Sequence, residues 1–186
     1  MKLRPQEGET EPSPARLEWM DPSKNPVVEE PETPSRRGLL AVFALISLIT
    51  LSLGGWLTSL GFGPWYDELL KPPFQPPGWV FSPAWTTLFT LLAIATWRVA
   101  RHGEVARLAL WIYGAQLVFN VLWSLFFFTL HQPLWALIDI AILNGLVVVL
   151  AVIYGRIDRL AGWFIAPYIV WLALATSINT WIVLNN

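Results

Sequence analysis

A small set of side chains deep in the apolar stretches of this 186-residue chain could do recognition chemistry. Gln116, Asn120 and Ser124 recur at i, i+4 and i+8, as do Trp171, Ala175 and Asn179, so each trio lies along one helix face. Trp85 and Trp123 sit at similar depth, and Asp139 falls mid-stretch in WALIDIAIL. An aromatic box with a few hydrogen-bonding groups suits a large, flat, apolar ligand. The same carboxamides also suit interhelical hydrogen bonds, worth ~0.6–2 kcal/mol each, and the same rings suit core packing. Spacing leaves both readings open.

Other chemistries lack their parts. With no cysteine there is no disulfide, thiolate metal site or cysteine nucleophile. Asp139 is the only acid well inside an apolar stretch, so an intramembrane aspartyl protease has no second carboxyl; buried alone, it is expected to hydrogen-bond a neighbouring helix or border a wet cavity. His102 and His131 fall in or near loops, away from any site where a histidine pair could ligate haem iron. The formal charge is −1 and no basic stripe interleaves with aromatics, which argues against nucleic acid.

The elements that must position these residues are membrane spans. A bilayer core of roughly 30 Å asks for about 20 apolar residues per helix, and five stretches qualify: 38–62, 79–101, 106–129, 133–155 and 159–184. The expected fold is all-α, a polytopic five-helix transmembrane bundle over 38–186. Residues 1–37 are acidic and proline-rich and are expected to be disordered. Arg36, Arg37, Arg98, Arg101, Arg107, Arg156 and Arg159 flank one side of the membrane and Lys71 alone the other. This predicts a cytoplasmic N-terminus, and the expected location is a bacterial cytoplasmic membrane. Trp56, Trp65, Trp163 and Trp181 near span ends fit an interfacial belt.

The long connection 62–78 contains KPPFQPPG, whose prolines fix φ and extend their predecessors. It predicts a stiff strap across the bundle mouth, a lid with a low entropic cost of closing on a ligand. Pro76 and Pro77 would hold its backbone, Phe74 and Trp79 would point inward, and Ser82 would cap the next helix with Pro83 at its first position.

The segments WYDELLKPPFQPPGWVFSPAWTTLF, QLVFNVLWSLFFF, WALIDIAI and APYIVWLALATSIN resemble, in order and spacing, the TspO/translocator protein family of tryptophan-rich sensory proteins. The resemblance covers about residues 40–185. It implies a five-helix bundle, commonly a homodimer, whose first loop covers a pocket for porphyrins such as protoporphyrin IX, bound as a ligand with no further cofactor; membrane lipid and sterol are further partners. The implied pocket wall is Tyr66 and the strap through Pro76, Pro77 and Trp79, with Trp85, Asn120, Trp123, Phe126, Asp139, Trp171, Ala175 and Asn179. WIVLNN lacks the tyrosine and basic residue of the sterol pattern found at the end of the last span in mammalian members. Alternatives to tetrapyrrole binding for transport or stress regulation are light- and oxygen-dependent porphyrin degradation by pocket tryptophans, and transport of a small metabolite or sterol. Ala141 with Gly145, and Gly114 beside Ala115, offer close-approach patches for a dimer.

Overall fold

In lipid the helical period is carried by the polar residues, because apolar side chains can face either way. Ser47, Thr50, Thr96, Gln116, Asn120, Ser124, Asp139 and Asn179 are all buried, while Leu45, Ile49, Val118, Ile142, Val149 and Val170 face outward. The computed structural model describes residues 36–186, so nearly all of the acidic head lies outside the described residues. Helices α1 (Arg36–Leu60), α3 (Gly78–Ala100), α4 (Arg107–Ser124), α5 (Pro133–Ile157) and α6 (Arg159–Asn185) are the five spans, and α2 (Pro64–Glu68) is a short helix in the first connection. A π-helical turn, Leu125–Thr129, prolongs α4. Each span is long and apolar enough to cross a membrane. The protein is therefore an all-α integral membrane protein.

Packing closes a ring in the order α1, α3, α6, α5, α4 and back to α1. Polar side chains stitch it from within. Thr96 Oγ1 and Tyr154 OH are 2.8 Å apart across α3 and α5, and Asn144 Nδ2 donates to Thr176 Oγ1 at 2.9 Å across α5 and α6. Several hydroxyls also bond to the carbonyl four residues back, as in Thr50 to Ile46 and Thr90 to Thr86. The α5–α6 crossing is close because it is built on glycine: a Cβ on Gly162 would lie 2.6 Å from the Gly155 Cα. Asp158 caps α6 by accepting from the Leu160 and Ala161 amides and pairs with Arg98 Nη2 at 2.8 Å. Burial pushes this carboxyl up, but the Ala161 amide, Arg98 and the Leu160 amide outweigh it and hold Asp158 below its ordinary value.

Span boundaries fall within two residues of those predicted, counting the π turn with the third span; the start of α3 works differently. The helix begins at Gly78, so Ser82 lies inside it and does not cap it, and Pro83 is an internal proline. The preceding Pro77, extended at φ −55 and ψ 145, already turns the chain into the helix.

Candidate ligand-binding site

The π turn decides which rings of α4 face inward. The Leu130 amide donates to the Leu125 carbonyl at 2.9 Å, an i to i+5 bond that shifts the inward face relative to an α-helix. Phe127 and Phe128 thereby become buried, with Trp123 stacked on Phe127 at 5.4 Å and 23°. Gly61 makes this approach possible, since a Cβ there would collide with the Phe128 backbone.

Two hydrogen-bonded layers join α4 to α6. In the deeper one Asn120 Nδ2 donates to Tyr168 OH at 2.9 Å, and Tyr168 donates to Gln116 Oε1 at 3.1 Å. Nearer the strap, Trp123 Nε1 donates to Asn179 Oδ1 at 3.1 Å while Asn179 Nδ2 donates to the Pro133 carbonyl at 2.9 Å. The carboxamides thus join helices, yet Asn179 also borders a partly enclosed space.

That space is a cavity of about 40 Å³ lined by Tyr66 and Gln75 of the strap, Phe81 of α3, Trp123, Phe127 and Phe128, and Ala175, Ile178, Asn179 and Ile182 of α6. It has room for about one water molecule. Gln75 Nε2 donates to Tyr66 OH at 3.2 Å, and Gln75 Oε1 is enclosed with no donor. Burial pushes the Tyr66 phenol above its ordinary value, the Gln75 hydrogen bond works against this, and the Asp67 charge adds to it. The Tyr66 hydroxyl therefore keeps its proton through neutral and mildly alkaline pH.

A second, larger space of about 550 Å³ lies on the outside of the ring between α3 and α6, lined by Trp79, Val80, Pro83, Ala84, Thr87 and Leu88 on one side and Pro167, Val170, Trp171 and Leu174 on the other. The TspO/MBR family model matches residues 41–184. The chain belongs to the TspO/MBR family. It is 33% identical to Protein CrtK of Rhodobacter capsulatus over 75% of this chain and 89% of that protein. Against the translocator protein of Sus scrofa the identity is 35%, over 69% of this chain and 80% of the relative. Against the tryptophan-rich sensory protein of Cereibacter sphaeroides it is 39%, over 62% and 72%.

In this TspO/MBR chain the residues singled out from sequence separate into three groups. Tyr66, Trp123, Ala175 and Asn179 line the inner cavity. Trp79 and Trp171 line the outer groove. Pro76, Pro77, Trp85, Asn120, Phe126 and Asp139 line neither. Trp85 packs edge-on against Tyr168 and Trp171, and Phe126 packs beside the Phe127–Phe128 cluster. Asp139 is buried on α5 with Oδ2 unpartnered. The inward placement expected of Phe74 and Trp79 is corrected. Phe74 is half-exposed and lies edge-on to Trp181, and Trp79 is 76% exposed. Because α3 starts at Gly78, Trp79, Pro83 and Thr87 share the outward face, while Phe81, Trp85 and Phe89 face α6. Gln75, Phe81, Tyr168, Phe127 and Phe128 were not singled out individually from sequence; the hydrophobic pattern marks them only as apolar or strap residues.

Proposed function

We propose that the protein binds a large, flat tetrapyrrole such as protoporphyrin IX in the interior bounded by α3, α4, α6 and the strap, in the service of tetrapyrrole transport or stress sensing. The observation that carries this reading is the convergence on one largely apolar, partly enclosed cavity of Tyr66, Trp123, Ala175 and Asn179 with three phenylalanines, beneath a carboxamide oxygen that has no donor. Membership in the TspO/MBR family supports it. Ligand pockets are typically about 300–1,000 Å³, so the aromatic side chains must part to admit the ring. Ring stacking and hydrogen bonds from Tyr66 and Asn179 then provide the binding. His131 stacks on Trp65 and does not line the cavity; metal-free porphyrin should therefore bind about as well as haem.

The test is saturable quenching of tryptophan fluorescence by metal-free protoporphyrin IX, comparing the unaltered protein with a Tyr66→Ala, Trp123→Ala double variant, both residues lining the inner cavity. Markedly weaker quenching in the variant supports the reading; equal or non-saturable quenching in both contradicts it. The Trp85 and Trp171 rings, 6.2 Å apart, are the reactive partners of the photochemical alternative. Porphyrin bands that decay in light faster with the protein than with a Trp85→Ala, Trp171→Ala double variant would favour that alternative. The same proposal places the N-terminus in the cytoplasm, which a reporter fused after Asn186 tests. It also includes a homodimer, for which the exposed Gly145 on α5, with nothing within 4 Å of an added Cβ, leaves room for a close helix approach.

A further inference from the structure

The mouth of the bundle and its side wall are closed in very different ways. The strap is fastened at several separate points. Asn186 Oδ1 accepts from the Leu70 amide at 2.9 Å while Asn186 Nδ2 donates to the Leu70 carbonyl at 3.4 Å, a two-point pairing with the backbone of the strap. Trp65 is stacked on His131 at 4.1 Å and 12°, and Phe74 lies edge-on to Trp181 at 6.1 Å. Opening the mouth means breaking these together.

The wall between α3 and α6 is thinner. Trp171 lines the outer groove, Phe81 lines the inner cavity, and the two rings meet edge-to-face at 5.6 Å. Along α6 the neighbouring residues Leu174 and Ala175 face the groove and the cavity respectively. One aromatic layer thus divides the two spaces. The α3 hydroxyls nearest this seam, Thr86 and Thr87, bond back to their own helix at 2.8 and 2.9 Å and so do not tie it to α6. Both bordering helices carry an internal proline, Pro83 in α3 and Pro167 in α6, and both prolines line the groove. Each removes an i to i−4 hydrogen bond where the helices would have to bend apart. The Trp171 indole N–H is covered and has no acceptor, which leaves a donor free at the partition.

We propose that the α3–α6 seam is a lateral gate, through which a flat, membrane-dissolved ligand with a hydrogen-bond acceptor passes between the outer groove and the interior, with Phe81 and Trp171 as the moving partition. The groove, at about 550 Å³, already has the size of a ligand site, and it belongs to two membrane spans, so its occupant arrives from the hydrocarbon phase. This inference rests on the interior tetrapyrrole site proposed above and deepens it by naming the route. The strap then serves as a fixed roof.

A gate residue and a binding residue differ kinetically. Obstructing the only route slows association and dissociation by the same factor and leaves Kd unchanged, whereas losing a contact changes Kd. The experiment is stopped-flow fluorescence with metal-free protoporphyrin IX and the full chain in lipid vesicles. The groove is filled from either wall by Ala84→Trp or Val170→Trp, and its hinge is stiffened by Pro167→Ala. The expected result is that both rates fall by about tenfold or more in the two filled variants and less in Pro167→Ala, with Kd unchanged and with rates unaltered in Asn186→Ala. Unchanged rates in all three groove variants, or faster exchange in Asn186→Ala, would overturn the gate while leaving the interior site standing. A changed Kd with unchanged association would make the groove part of the binding site and also overturn the gate. Absence of saturable binding in the unaltered protein would overturn the interior site and the gate with it.

Discussion

Asn179 shows how a single residue can be glue and cavity wall at once. Its carboxamide ties Trp123 of α4 to the first turn of α5, and its side chain also borders the inner cavity. Asn179→Leu leaves the Trp123 N–H without its acceptor, so it should lower stability by about 1–2 kcal/mol, read as a lower Tm in detergent. It should also weaken porphyrin quenching; a variant with unchanged Tm would remove Asn179 from its structural role. The i, i+4 stripes in the sequence identified Gln116, Asn120 and Asn179 as inward-facing, because few residues other than polar ones mark the interior of a lipid-facing helix. Tyr168 was not legible in the same way. A tyrosine in an apolar span reads as one more aromatic until its hydroxyl is seen between Asn120 and Gln116.

At the scale of elements, helix ends and close crossings hold the bundle where the spans meet water. Asp158 closes the α5–α6 turn, and Asp158→Ala should lower stability by about 0.5–2 kcal/mol through loss of the cap, measured by thermal unfolding. Because its carboxyl is held below the ordinary value of 3.8, the contribution is present above that pH and is lost as pH falls below it. The variant should therefore differ from the unaltered protein at neutral pH and converge with it in strong acid. Gly162→Ala forces a methyl against the Gly155 backbone and should cost about 1–3 kcal/mol, read as a lower Tm. Span limits were legible from length and hydropathy. The π turn was not, since nothing in LFFFT distinguishes i+4 from i+5 bonding, and that turn places Phe127 and Phe128 on the cavity. The start of α3 is obscured in the sequence because Ser82–Pro83 carries a strong capping signal, although Pro77 and Gly78 already begin the helix.

For the whole molecule, sequence conveyed the five-span bundle and its TspO/MBR membership, and the structure adds how the ring is closed. Compositional patterns distinguish interior from lipid; they do not tell a filled interior from an open one. Here the interior is filled by its own aromatic side chains down to a cavity of about 40 Å³, beneath a strap tied to α6 through Asn186. Ligand binding on this account means displacing rings that already pack together, so affinity should respond sharply to anything that occupies the cavity permanently. Equilibrium titration of Ala175→Phe with metal-free protoporphyrin IX, beside Val170→Trp, tests that claim most directly. Ala175→Phe, whose ring would fill the inner cavity, is expected to lose at least about tenfold in affinity, whereas Val170→Trp, on the outer groove, retains it. Undiminished affinity in Ala175→Phe would contradict the claim and place the ligand outside the ring of helices.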